Sequence, residues 1–424
     1  MKLFKYLFFA MLISFFYGCS NIEDAEPTER KTFIHFYEKS IDYIGIASEP
    51  LDDGYLLAGN LELESEFSGV ISRTDLFGNV IWEQIMPNSS VKSIKVVDDG
   101  YLVLGDSIQV DEDAAQVLDI IKTKSRLIKM SLDGNILTEN NFFNKNNPSV
   151  DFHGDALSIS PDGTIISIGN FQAAGATTKT FVAAHNPNTL DTLWTRSYSL
   201  IDRDYKNSKS GFVTSSGKIV WASAAEKSTQ NNFKSYITVP SVDPNSTFVN
   251  SDSFGVTEDQ FYDAADIVQS SLGFAIIGTY KNTQGQNSNM FFLRADPIGN
   301  IQEGSERFFD GFLSSDNSAI EKSASSTQDT GNAIAATSDG GYILAGSMTT
   351  SLDRGNGGQD ILLIRVSPFG EILWNKVLGG SGDEVPNSIR VTSDGGYLIC
   401  GSVSIGGLSS AFLIRTDRNG ELND

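Results

Sequence analysis

Four aspartates stand near the start of predicted inner strands, Asp42, Asp151, Asp263 and Asp383, and His153 and Asp155 lie beside one of them. Placed around a common axis, these carboxylates would attract a cation or a basic peptide, and a carboxylate pair can do acid–base work. The competing role is local: a turn aspartate commonly accepts a backbone N–H where the chain enters a strand. We expect that capping role to predominate, and take Asp42, Asp151, His153, Asp263 and Asp383 as candidate binding residues. No serine or cysteine nucleophile accompanies His153, so no catalytic residue is assigned. His35 and His185 fall on predicted strands, where packing or surface roles suffice. Asp111, Glu112, Asp113 and Asp119 crowd one loop, and Asp310, Asp316, Glu321 and Asp329 lie along another. Neither shows the alternating Asp spacing of a calcium loop, so no metal is expected. Gly379-Gly-Ser-Gly382 joins two strands with no helix behind it, which removes the usual phosphate cradle.

Composition narrows the classes further. The chain has 424 residues with 53 acidic and 31 basic side chains, a formal charge of −22. Such a surface repels phosphate backbones, so a nucleic-acid partner is not expected. Two cysteines and three histidines supply neither a disulfide framework nor a zinc site.

The elements that must position the candidates form a repeat. Asp339-Gly-Gly-Tyr-Ile-Leu-Ala-Gly-Ser347 recurs as Asp394-Gly-Gly-Tyr-Leu-Ile-Cys-Gly-Ser402, and earlier around Asp52–Gly59 and Asp98–Gly105. Degraded copies at 162–169, 216–222 and 272–278 bring the number to seven. Each full unit carries four β-patterns. In the sixth these are Ala333–Thr337, Tyr342–Ser347, Ile361–Val366 and Ile372–Leu378, separated by Asp/Gly turns. Four strands per unit, repeated in tandem, predict an all-β, seven-bladed β-propeller. The last unit ends after its third strand, and Thr32–Tyr37 is available as the missing fourth. An N-terminal strand completing the last blade would remove the open edge.

Strand order then divides the faces. First-to-second and third-to-fourth turns share one face and are short. The second-to-third loops and the blade connections share the other, and there lengths vary, as at 106–124, 310–331 and 346–360. Variable loops on a rigid scaffold are where function usually sits.

Before the repeat, Lys2 and Lys5 flank an apolar run ending in Phe16-Tyr17-Gly18-Cys19. It is short for a membrane span and placed like a secretory h-region. The Gly18-Cys19 junction resembles the lipobox of bacterial lipoproteins, which implies lipidation of Cys19 and removal of residues 1–18. Residues 19–31 read as an acidic tether, and Glu23, Asp24 and Glu26 resemble the surface-export signal of Bacteroidetes lipoproteins. Residues 32–424 form a single propeller domain in this reading. The implied location is the outer membrane, lipid-anchored and facing outward.

The stretch Arg365-Val-Ser-Pro-Phe-Gly-Glu-Ile-Leu-Trp374, echoed at Arg73–Trp82 and loosely at Asn186–Trp194, resembles the tryptophan-docking motif of quinoprotein-like propellers. The Asp-Gly-Gly-Tyr and Leu-Ile-Arg strands are similar to repeats of Bacteroidetes surface and secreted proteins. The resemblance implies that Trp82, Trp194 and Trp374 pack between blades. It does not carry over a quinone cofactor, because Cys400 stands without a cysteine neighbour, and no cofactor is expected. Propellers host unrelated functions, so activity does not follow from the fold. We expect a non-enzymatic binding or scaffolding module that uses its loop-rich face on a protein or glycan ligand. It could equally serve as an accessory to an outer-membrane complex. The alternative is a carbohydrate-active hydrolase or lyase using carboxylates at the channel mouth.

Overall fold

The computed structural model describes residues 32–63, 66–110, 120–142, 151–172, 178–198, 204–229, 232–242, 249–255, 261–281, 288–309, 328–349 and 358–422. Among them there is no helix, and the strands form seven four-stranded antiparallel blades. The chain is a seven-bladed β-propeller. The blades span residues 42–87, 89–142, 151–198, 204–254, 261–309, 330–378 and 383–416. Blades four and five are additionally linked by one parallel bridge, Ser235 to Phe261. The closing strand Phe33–Tyr37 pairs antiparallel with Leu408–Thr416, from Phe33 opposite Arg415 to Tyr37 opposite Ala411, and so completes blade seven.

Burial follows each strand's place in its blade. The middle strands of blade six, Tyr342–Thr349 and Gln359–Val366, are buried at nearly every residue because neighbouring blades cover both faces. Their centres, Tyr342–Gly346 and Ile361–Ile364, are accordingly apolar without interruption. The outer strand Ile372–Leu378 has one face to solvent and alternates more exposed with less exposed residues.

The core is divided among the seams. Seven buried apolar clusters each join two adjacent blades, as in the set that unites Ile343 and Leu363 of blade six with Tyr397 and Phe412 of blade seven. The repeated tryptophans close these seams from outside. Trp82 lies 6.0 Å from Tyr101 and Trp374 5.9 Å from Tyr397, each Tyr belonging to the next blade. Trp194 packs against the cluster containing Trp221 at the third seam. In blade seven the closing strand supplies Phe33 instead. It pairs with Arg415 as Trp82 pairs with Arg73, and its ring is 5.7 Å from Tyr55 of blade one. Gly134 explains how Trp82 comes so close: a Cβ there would stand 2.7 Å from the indole ring.

The two sequence motifs of each unit also meet. The turn aspartate of Asp-Gly-Gly-Tyr pairs with the arginine of Leu-Ile-Arg within one blade: Asp339 with Arg365 at 2.6 Å and Asp394 with Arg415 at 2.5 Å. Asp53–Arg73 and Asp99–Lys129 repeat the pairing in blades one and two. Both Arg365 and Arg415 are buried. The turn itself needs a left-handed residue: Gly395 has φ of +84°, and a Cβ added there would meet no atom within 4 Å. Gly395→Val should therefore cost about 1 kcal/mol or more through backbone strain alone. A thermal melt unchanged from the parent would contradict the left-handed hairpin turn.

Candidate functional site

All seven inner strands share an irregularity that aims side chains at the axis. Their pairing slips between Gly45 and Ala47, Val91 and Ser93, Gly154 and Ala156, Asn207 and Ser210, Ala264 and Asp266, Gly331 and Ala333, and Pro386 and Ser388. A β-bulge leaves its extra residue out of the ladder and re-aims it. Ile46, Lys92, Asp155, Lys209, Asn332 and Asn387 are re-aimed in this way, and they line a central channel of about 560 Å³. The inner strands begin at the loop-rich face, so these residues sit a few positions below that mouth.

Hydrogen bonds beside the channel tie every seam. Asn387 Nδ2 donates to the Gly45 carbonyl at 2.7 Å and Asn332 Nδ2 to that of Pro386 at 2.9 Å. Val91 N–H donates to Asn60 Oδ1, Gly154 N–H to Asp106 Oδ1, and Val213 N–H to Ser158 Oγ. Asp266 accepts from Ser210 Oγ of blade four at 2.5 Å and from the Ile334 N–H of blade six at 3.0 Å. Burial pushes the Asp266 carboxyl up, and these donors offset part of the shift. Across blades seven, one and two, Arg390 Nε and Lys95 Nζ reach Glu49 Oε1 at 3.2 and 3.1 Å. Burial alone would raise the Glu49 carboxyl, but the two cations outweigh it and hold it below its usual range.

Between blades two and three the polar groups have a different balance. Asp106 is buried; its Oδ2 faces His153 Nδ1 at 3.2 Å, which raises the imidazole above its usual value. Burial first, and the Asp106 charge second, push the neighbouring Asp155 carboxyl up to about 7, against the pull of Lys92, His153 and Asn170. Asn170 Nδ2 donates to Asp155 Oδ2 at 2.6 Å, while its own buried Oδ1 accepts no hydrogen bond from the described residues. Asp155 is thus a carboxyl that can give or take a proton near neutrality, beside a lysine and facing an open channel.

That shift has a measurable sign. The unfolded Asp155 ionises near the usual value while the folded one keeps its proton, so stability falls as pH rises from about 4 to about 7. The raised His153 acts in the same direction, since its contribution is lost as pH rises through its folded value. Asp155→Asn should melt above the parent at pH 8 and level with it below about pH 4. A constant offset across that range would contradict the shift.

The sequence-predicted residues separate into two groups. His153 joins the Asp106–Asp155 cluster. Asp42 Oδ1 accepts the Ser409 N–H at 2.7 Å and Asp383 Oδ1 the Gln359 N–H at 2.8 Å, each from a neighbouring blade. Asp263 Oδ2 meets Lys209 Nζ at 3.2 Å. Asp151 begins its strand opposite Gln172, and its side chain lies outside the described residues. Cys19, the tether and most of the acidic loop residues also lie outside them; Asp329, which is described, is buried and accepts the Thr349 N–H. No group of three metal-binding side chains converges among the described residues.

Lys92 and Lys209 escaped the sequence reading because a strand pattern of period two gives no sign of an inserted residue. Glu49, Asp266 and Arg390 stand in the regular ladder, and their partners come from other blades. A faint signal exists in Gly45-Ile-Ala47, Gly154-Asp-Ala156 and Gly331-Asn-Ala333, where the middle residue is in each case the bulged one.

No protein-family profile matches the chain, and no curated protein resembles it in sequence. Solved structures share its fold. The polysaccharide lyase Uly1 superposes with a TM-score of 0.50 at 8% identity, covering 88% of this chain and 90% of the lyase. The quinohemoprotein alcohol dehydrogenase of Comamonas testosteroni gives 0.42 at 10%, covering 92% and 77%. Trypanosoma rangeli sialidase, in complex with sialic acid, gives 0.43 at 9%, covering 91% and 57%. The chain therefore spans little more than half of the sialidase's length. At these identities the likeness is one of fold.

Proposed function

We propose that this protein is a cell-surface binding or scaffolding propeller, lipid-anchored through Cys19 at the outer membrane, which engages a protein or glycan ligand at the loop-rich mouth of its channel. The lipobox-like Gly18-Cys19 junction and the repeats similar to Bacteroidetes surface proteins support the location. The observation that carries the binding reading is the row Lys92, Asp155 and Lys209, turned inward by bulges in three successive blades and lining one cavity. Lys209 itself meets Asp263 of the next blade, and Asn332 and Asn387 tie two further seams, which makes the ring a stiff frame around that row.

Co-purification from detergent-solubilised outer membranes, read by mass spectrometry, tests both parts. The parent should recover a partner or glycan that the Lys92→Ala/Asp155→Asn/Lys209→Ala variant loses. Cys19→Ala should release the protein from the membrane fraction. Recovery unaltered by the triple change would sink the channel-mouth reading.

One observation favours a second reading, a carbohydrate-active hydrolase or lyase. A carboxyl near pKa 7 in a channel suits general acid–base chemistry. Turnover of a polysaccharide by the purified protein, abolished in Asp155→Asn, would establish it over the first.

A further inference from the structure

The face opposite the loop-rich mouth carries a groove between blades one and two with a volume of about 690 Å³. Comparable grooves at the seam of blades seven and one and at that of blades three and four measure about 310 and 390 Å³. The floor of the larger one is aromatic: Trp82 and Tyr101, whose rings are 6.0 Å apart. Trp82 is held in place, lying against Gly134 and donating its Nε1 hydrogen to the Leu132 carbonyl at 3.2 Å. The walls are apolar and open to solvent, with Ile81 56% and Leu132 54% exposed.

The rim has one sign of charge. Asp52, Asp98 and Asp133 are exposed and form no ion pair among the described residues. The cation that lines the groove, Arg73, is already paired with Asp53. The carboxylates do not converge as a metal site would require. They are spaced to meet separate positive groups around an apolar centre.

We propose that this groove docks a basic amphipathic segment of a partner protein, seating an apolar side chain against Trp82, Ile81 and Leu132 with lysines or arginines on either side. The volume suits one large side chain and its neighbours. A cation at the rim meets the carboxylates directly. Charge complementarity selects this occupant over the others. A second copy of a chain at −22 would bring acid to acid, and an anionic membrane would be repelled in the same way. The proposal concerns the face away from the channel mouth and stands apart from the reading given for that mouth.

The test uses the full chain with its tryptophan indoles labelled with nitrogen-15 and the Trp82 signal assigned by Trp82→Phe. The probes are an acetylated, amidated Lys-Arg-Leu-Lys-Arg peptide and its Glu-Glu-Leu-Glu-Glu counterpart. The basic peptide should shift the Trp82 signal saturably, and the acidic one should leave it in place. Asp52→Asn/Asp98→Asn/Asp133→Asn should weaken binding about tenfold, and added salt should weaken the parent's binding. Ile81→Ser should weaken it several-fold with the melting temperature unchanged, because the replaced side chain is exposed. The proposal is overturned by an unmoved Trp82 signal, or by equal affinity after the three neutralisations. It is also overturned if anionic phosphatidylglycerol vesicles or a second copy of the chain perturb Trp82 more strongly than the basic peptide does.

Discussion

Tyr37→Ala is expected to destabilise the protein by about 3–5 kcal/mol, the range for truncating a buried aromatic side chain. Tyr37 is the last residue of the closing strand, 7% exposed, and packs in the cluster that joins blades seven and one through Tyr43, Tyr55 and Leu413. Its hydroxyl donates to the Gly78 carbonyl at 2.8 Å. The alanine variant leaves a cavity at the seam where the ring closes and a carbonyl without its donor. It also loosens the pairing that covers the edge of Leu408–Thr416, so the variant should expose apolar strand edge and aggregate on heating. Tyr37→Phe keeps the ring and loses the hydroxyl bond, and should cost only about 1 kcal/mol. Chemical denaturation measures both. If Tyr37→Ala unfolded with the parent's midpoint, the strand would not be closing the ring.

The second large effect is at Glu49. Glu49→Gln leaves Arg390 and Lys95 in the channel wall without the carboxylate they share. Glu49 itself is largely buried but both cations are about a third exposed, so the loss should cost about 1–3 kcal/mol. Because the folded carboxyl is held below its ordinary value, its contribution is complete at neutral pH and is lost as pH falls through the folded value. The stability gap between parent and variant should therefore be widest at pH 7, begin to narrow near the ordinary glutamate value, and close only once the pH is below the depressed folded value. A gap independent of pH would assign the cost to packing and remove the ion pair from the account.

Much of this architecture was legible in the chain. Local chemistry writes the hairpins: the outer strand of blade six is expected at Ile372–Leu378 and is found at Ile372–Leu378. The inner strand of the same blade begins three residues earlier than expected, at Thr330, because its first turns pair through the bulge rather than in the regular register. Closure by Phe33–Tyr37 was legible too, since a unit lacking a fourth strand and a spare strand at the other end have one simple solution.

The candidate site was legible only in part. His153 and Asp155 stand close in the chain, but Asp106, which orients one and raises the other, is 47 residues before His153. The acceptor of Asn387 is 342 residues away and that of Arg390 is 341 away.

By itself the sequence determined the repeat, the strand count per unit and the turns, and its resemblance to quinoprotein-like propellers implied the tryptophans of the seams. The first three rest on neighbours within a few positions, where periodicity and turn chemistry act. Only the tertiary structure decided which carboxylates reach the channel, which are taken up by neighbouring blades, and which groove is left open on the opposite face. Those outcomes depend on bulges that shift side-chain direction and on partners brought together by ring closure, and neither leaves a local pattern along the chain.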